Sequence, residues 1–307
     1  MRIGLPDLVS NSYFPAIAAV QLGFLEQEGI DAEIELIFPV TDAAVALRER
    51  RIDFLAGAAH APLYGFPGWD GAKLVAALSH NTYWFLVVRS DLGVGRGDLS
   101  ALSGLRIGAA PGVGEALGRL FRLNGIDPDT AGITIAPVPG TSGAGVSFGV
   151  TAAEALRAGT IDAFWANGMG AEVAVRTGAG TVVVDARRDG GPGAQQTFPA
   201  LSTTEHLIDS EPETVAAVVR GLVAAQEALR RDPSLATQAG KDLFPEMENS
   251  LIADLIARDR TFYLPAISND EVTALHAFAS DIGLLDHRPS YEQAVATQFA
   301  PLWSRQE

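Results

Sequence analysis

The chain predicts an α/β protein of two similarly built lobes, and three observations carry that reading. Short apolar runs ending in Gly, Pro, Asn or Asp alternate with helical patterns as far as Asp185, the pattern of mainly parallel strands covered by helices. "RIG" at 2–4 returns at 106–108, and "LRERRIDFLAGA" at 47–58 aligns without a gap on "LRAGTIDAFWAN" at 156–167. The cycle is therefore expected to occur twice. From about residue 213 the pattern is almost wholly helical; with no sheet of its own to form, this tail is expected to pack on the first lobe.

The elements follow in order. "RIGLPDL" reads as the first strand and runs into "SNSYFP", more polar groups than one helix cap needs. A helix is expected over 14–28, with Pro15 in its first turn and Ser12 or a neighbour as its cap. "AEIELIF" and "IDFLAGA" read as strands around the helix "DAAVALRERR", and "KLVAALS" and "YWFLVVR" as two more. The second cycle is "LRIGAAP", a helix near 113–124, "ITIAPV", a helix near 151–158, "IDAFWAN" and "TVVVD". A Gly-rich crossing, "RRDGGPGAQQTFP", precedes one more strand and a capped helix start in "ALSTTEHLIDSEPET". Crossings near 87–91 and 185–200 assign residues 1–87 and 198–307 to lobe 1 and 88–197 to lobe 2. Between such lobes a ligand cleft is expected, faced by the carboxyl ends of the parallel strands.

Composition narrows the partners. The 307 residues carry a net charge of −15, with 22 Lys plus Arg scattered singly or in short pieces. The basic surface that nucleic acid or an anionic membrane requires is missing. There is no cysteine, which removes disulfides, thiolate nucleophiles and cysteine-held zinc. No apolar run is long enough to span a bilayer. By residue 3 the chain already reads as a core strand, with no export leader. As written it is expected in the cytoplasm, or outside it if a leader has been removed. The histidines, at 60, 80, 206, 276 and 287, show no metal spacing, so neither metal nor cofactor is expected, and the chain is expected to be a monomer.

The residues expected to touch a ligand are those just past strand ends. In lobe 1 they are Ser10, Asn11, Ser12 and Tyr13 after the first strand, Ala59 and His60 in "LAGAAH", and Ser79 and His80 in "VAALSH". In lobe 2 they are Pro111, Gly112, Val113 and Gly114, then Thr141 and Ser142, then Asn167 and Met169. Asn167 has a second reading as a helix cap. Phe198 joins them as an aromatic face, as do Trp84 and Trp165, which lie within strands and serve the core equally well. His60 and His80 also have the chemistry of a general acid or base near neutral pH.

Two motifs carry less than they promise. "GAAPGVGEALG" has the look of a dinucleotide loop, but the following strand ends in Pro139-Gly140 and lacks the acid that grips a ribose. What remains is a helix start whose backbone N–H groups could hold a carboxylate, sulfonate or carbonyl. "GVSFG" at 145–149, with Asp185 and His206 after it, has the residues and order of an α/β-hydrolase triad. Ser147, however, lies well beyond the strand end, where the nucleophile elbow requires immediate succession. Ser147 or Thr151 as a helix cap is the plainer account.

"SNSYFPAIAAVQLGFLEQEGIDAEIEL", "ALRERRIDFLAG" and "LSGLRIGAAPGVGEALGRLF" resemble, in order and spacing, the solute-binding proteins of the aliphatic sulfonate, nitrate and taurine transporters and their thiamine-pyrimidine-synthase-like relatives. The resemblance covers roughly residues 1–230 and implies a type II periplasmic-binding-protein fold, one small ligand held between lobes that close by hinge motion, and an ABC permease as partner. Without Lys or Arg among the expected contacts, a small organic acid or a polar planar ring suits the site better than a multiply charged anion. Two other functions stay open. One is a leaderless enzyme on the same fold using His60 or His80 for decarboxylation, dehydration or lyase chemistry; the other is a cytoplasmic ligand sensor.

Overall fold

The computed structural model describes residues 1–139 and 147–304. The first pass of the chain lays down β1 (Arg2–Leu5), α1 (Phe14–Gln21), α2 (Phe24–Gln27), β2 (Glu33–Leu36), α3 (Val40–Arg48), β3 (Phe54–Ala58) and β4 (Ala72–Ala77). The second comprises β5 (Phe85–Arg89), β6 (Arg106–Ala109), α4 (Gly114–Leu123), β7 (Thr134–Ala136), α5 (Phe148–Arg157), β8 (Ala163–Ala166), α6 (Gly168–Arg176) and β9 (Gly180–Asp185). The return adds β10 (Pro199–Thr204) and the helices α7 (Glu205–Ser210), α8 (Pro212–Arg231), α9 (Leu235–Gly240), α10 (Glu246–Asp259), α11 (Asn269–Asp281) and α12 (Tyr291–Ala294).

These elements build two five-stranded sheets, ordered β2-β1-β3-β10-β4 and β7-β6-β8-β5-β9. In each, the first three strands are parallel, and the fourth, β10 or β5, runs antiparallel to both its neighbours. Central strands are buried on both faces, which is why β3, β8 and β10 are apolar or small throughout, whereas the edge strands β2 and β7 reach solvent.

The chain divides into two compact units, residues 1–80 with 197 onward, and residues 81–196. The strand expected in lobe 1 at "YWFLVVR" is β5, and its partners are β8 and β9 of the second sheet. The expected boundary at 87 therefore falls inside a strand, and the crossing comes earlier, at His80–Asn81, where Asn81 adopts a left-handed backbone (φ 64°). The helical tail joins the first unit. Phe198, Ala59, Leu74 and Ala77 share one apolar core with Leu275, Ala279 and Val295.

The helix expected over 14–28 is two. Gly23, at φ 74°, ends the first and opens the second, a conformation that costs glycine little. Tyr13, not Ser12, occupies the N-cap of α1, and no side chain caps it. Ser147 does cap α5, accepting from the Val150 N–H at 3.4 Å.

The repeat read from the sequence has a structural counterpart. Arg2 N–H donates to Asp53 Oδ2 at 2.7 Å, Asp53 N–H to the Arg2 carbonyl at 2.9 Å, and the Arg2 guanidinium to the Arg50 carbonyl at 3.2 Å. In the second unit Arg106 N–H donates to Asp162 Oδ2 at 3.0 Å, Asp162 N–H to the Arg106 carbonyl at 2.9 Å, and the Arg106 guanidinium to the Gly159 carbonyl at 3.2 Å. Each clamp locks the start of a central strand to the turn before the next. Gly4 and Gly108 follow the clamps, and a Cβ there would lie 2.5 Å from Ile52 Cδ1 and 2.4 Å from Val138 Cγ2.

Candidate functional site

The carboxyl edge of the first sheet gathers four pieces of chain. β1 and β3 deliver residues 6–13 and 59–60, and β4 delivers 78–80. Because β10 is antiparallel, its entry, Thr197 and Phe198, lies at this same edge: the Ala59 N–H donates to the Phe198 carbonyl at 2.7 Å and the Leu78 N–H to the Pro199 carbonyl at 2.9 Å. Ser10, Asn11, Ser12, His60 and Ser79 are fully buried here, and Thr197 nearly so.

A strap from the tail closes over the edge. After α10 the chain runs through a short 3-10 turn, Arg260–Phe262, and hydrogen-bonds as it goes. The Ala77 N–H donates to the Pro265 carbonyl at 2.8 Å and the His80 N–H to the Phe262 carbonyl at 3.0 Å. The Tyr263 hydroxyl donates to the Asn11 carbonyl, and Asn11 Nδ2 to the buried carboxylate of Asp259. Arg258 stands 3.7 Å from the other oxygen of Asp259. Asp259, Tyr263 and Thr197 thus belong to this edge, and the sequence reading passed over them, since "RDRTFYLP" looks like an ordinary helix end. The break to proline after two aromatics was the available signal.

Both histidines of the edge are held. His60 Nδ1 is hydrogen-bonded to Thr197 Oγ1 at 3.0 Å, and its ring meets Phe278 edge-on with centroids 5.0 Å apart. His80 Nδ1 pairs with Glu271 and its Nε2 lies 3.0 Å from the Leu264 carbonyl. Carboxylate and carbonyl oxygens only accept, so both ring nitrogens face acceptors. Burial works to raise the Glu271 carboxyl, but the bond and charge of His80 and the donors of Ser268 outweigh it and hold the group below its ordinary range. His80 in this setting is a fastener for α11, which is poor equipment for a general acid or base.

Two unsatisfied atoms stand out at this edge. Ser10 Oγ and Asn11 Oδ1 are buried and have no hydrogen-bond partner among the described residues. Buried polar groups are almost always paired, and an orphan costs about 1–3 kcal/mol. Ala59 and Phe198, expected as contacts, belong instead to the apolar core beneath the edge.

The second unit treats its expected residues differently. Asn167 caps α6, its Oδ1 accepting from the Gly170 N–H at 3.1 Å, and Met169 is fully buried in the first turn of that helix. The turn before α4 uses its own donors: the N–H groups of Val113 and Gly114 both go to the Ala110 carbonyl, at 3.0 and 3.2 Å. Gly112 sits there at φ 78°, so the turn explains it without a ligand. A hollow of about 320 Å³ remains beside the turn, lined by Pro111, Gly114, Glu115 and Pro137 among others. Thr141 and Ser142 lie outside the described residues. Trp84 and Trp165 are core, their ring centroids 5.9 Å apart. Among the described residues no group of His, Asp or Glu could hold a metal ion, and no helix is long and apolar enough to cross a membrane.

Two sheets, each with one antiparallel strand set beside its parallel core and with the chain crossing twice between units, define a two-lobe α/β protein of the type II periplasmic-binding-protein fold. The chain belongs to the NMT1/THI5 like family, whose model matches residues 10–236. Among curated proteins none matches the sequence. Solved structures share the fold at low identity. The alkanesulfonate-binding protein SsuA from Xanthomonas axonopodis pv. citri, bound to MOPS, is 17% identical with a TM-score of 0.71, over 96% of this chain and 97% of that one. The periplasmic nitrate-binding protein NrtA from Synechocystis is 13% identical with a TM-score of 0.71, over 97% and 86%. The desulfurization enzyme DSZB is 16% identical with a TM-score of 0.66, over 98% and 97%.

Proposed function

We propose that the chain is a solute-binding protein, the ligand-binding component of an ABC importer, and that it takes a small organic acid or polar ring at the carboxyl edge of its first sheet. The observation that carries the reading is the pair of buried atoms at that edge, Ser10 Oγ and Asn11 Oδ1, that have no partner among the described residues. A fold under no demand to bind anything gains nothing by burying two such groups side by side in sequence. The importer components SsuA and NrtA, which share the fold, support the transport role, with a membrane permease as partner. The hydrogen bonds on both ring nitrogens of His80 and on Nδ1 of His60 do not favour the acid–base alternative.

Isothermal titration with alkanesulfonates, carboxylates, pyrimidine-like compounds and nitrate tests the reading. Saturable binding of one class at micromolar affinity or better is expected. A folded protein that binds none of them, and no amide- or amidine-headed compound either, would overturn it. Cell fractionation tests the transport role separately, since an importer's binding component works outside the cytoplasmic membrane.

A further inference from the structure

Ser10 and Asn11 have one property that reaches beyond binding as such: the orientation of the Asn11 amide is set. Its Nδ2 donates to Asp259 Oδ2, and a carboxylate can only accept, so the amide cannot turn its oxygen that way without facing oxygen to oxygen. The Arg258 guanidinium stands 3.7 Å from Asp259 Oδ1. The Asn11 backbone carbonyl is likewise taken, by the Tyr263 hydroxyl. What is left over at Asn11 is its Oδ1, a pure acceptor, buried and without a partner among the described residues; beside it in sequence Ser10 Oγ can donate or accept. Behind the pair, hydrogen-bonded to Asn11, lies the fully buried side chain of Asp259.

From this geometry we infer that the group the ligand presents to Asn11 is a hydrogen-bond donor, an N–H or O–H on a neutral or cationic head. An acceptor-only oxyanion such as a sulfonate, carboxylate or nitrate does not suit it. The inference rests on the solute-binding reading and narrows it. An oxyanion set here would place its oxygens against Asn11 Oδ1 and its charge near the buried Asp259 carboxyl group, with the Ser10 hydroxyl as the single donor of the pair and no cation from it to offset the loss of water. A donor-bearing head satisfies Asn11 Oδ1, and Ser10 Oγ adapts to it by rotating its proton.

The test uses matched heads on a common body. Calorimetry compares acetamide and acetamidinium with acetate and methanesulfonate, and benzamide and benzamidinium with benzoate and benzenesulfonate, with nitrate added. In the set whose body fits, the donor-bearing member is expected to bind about tenfold or more tighter than the acceptor-only one, and N,N-dimethylation of the amide is expected to abolish that advantage. Ser10→Ala separates site from scaffold. With no partner to lose, the variant is expected to melt at or above the parent temperature while its affinity for the donor-bearing head falls several-fold. An oxyanion that binds as tightly as its amide or amidine partner overturns the inference and leaves the solute-binding reading standing. So does a Ser10→Ala variant that loses stability and keeps affinity. Silence across both sets and across the wider panel of sulfonates, carboxylates and pyrimidine-like compounds overturns the solute-binding reading itself, and the inference with it.

Discussion

Asn11 holds the scaffold through Asp259 and is the proposed ligand contact, so its removal is expected to read out as both. Asn11→Ala leaves the buried Asp259 carboxylate without one of its donors; a melting-curve loss of about 1–3 kcal/mol is expected alongside weaker binding. A binding-only effect, the natural expectation for a contact residue, does not follow once Asp259 is known. Another residue-scale prediction concerns His276. It is buried in α11, accepts from Trp69 Nε1 at 3.0 Å, and is held below the usual histidine range by burial and then by Arg288 and His287, against the opposing Pro289 carbonyl. A histidine whose folded value is depressed takes up its proton first in the unfolded chain. Stability is therefore whole above about pH 6.5 and falls as the pH drops below it. Thermal melts across pH 8 to 5 check this, and His276→Gln, which keeps an acceptor for Trp69, is expected to flatten the slope. At this scale the sequence disclosed which residues end the first-sheet strands, Ser10 to Tyr13, His60, Ser79 and His80. It did not disclose their partners, because Asp259, Tyr263 and Glu271 lie about 190 to 250 positions away and no local rule connects such distances.

Among the elements, α5 and α6 meet through bare backbone. A Cβ on Gly170 would lie 2.5 Å from the Gly149 carbonyl oxygen and 2.7 Å from its Cα, and backbone cannot step aside as a side-chain tip can. Gly170→Ala is expected to cost about 1–3 kcal/mol or more by overpacking, measured by chemical denaturation. Gly29→Ala, whose Cβ meets nothing within 4 Å but whose φ is 79°, separates backbone strain from crowding, with a cost of about 1 kcal/mol. The strap gives a third measurement at this scale. Tyr263→Phe removes the bond to the Asn11 carbonyl and is expected to cost about 1 kcal/mol, with faster amide exchange along residues 259–265. Strands were the legible elements, since apolar runs closed by Gly or Pro have few other uses, and the duplicated "RI" and "ID" turned out to mark matching hydrogen-bonded clamps. The strap was not legible: its meaning comes from chain segments it touches, at Asn11 and at residues 77–80, neither of them its neighbour.

Across the whole molecule, residues 81–196 contain every strand of the second sheet, β5 to β9, whereas the first sheet needs β10, which arrives after them. Expressed alone, 81–196 is expected to melt cooperatively with an α/β circular-dichroism spectrum; residues 1–80 alone are not. Family and fold could be read from the sequence through the order of its segments, but the place of β5 could not, because an apolar run carries no label for the sheet it will join. The position of β10, between β3 and β4, also sets a timetable. As the chain leaves the ribosome, β3 and β4 have no direct pairing with each other, and the strand that must sit between them emerges more than a hundred residues later. Over that interval the inner flanks of both strands are open to pairing with the wrong chain, so the second unit, complete first, is the earlier stable product of synthesis, and the first unit is the one for which a chaperone would wait.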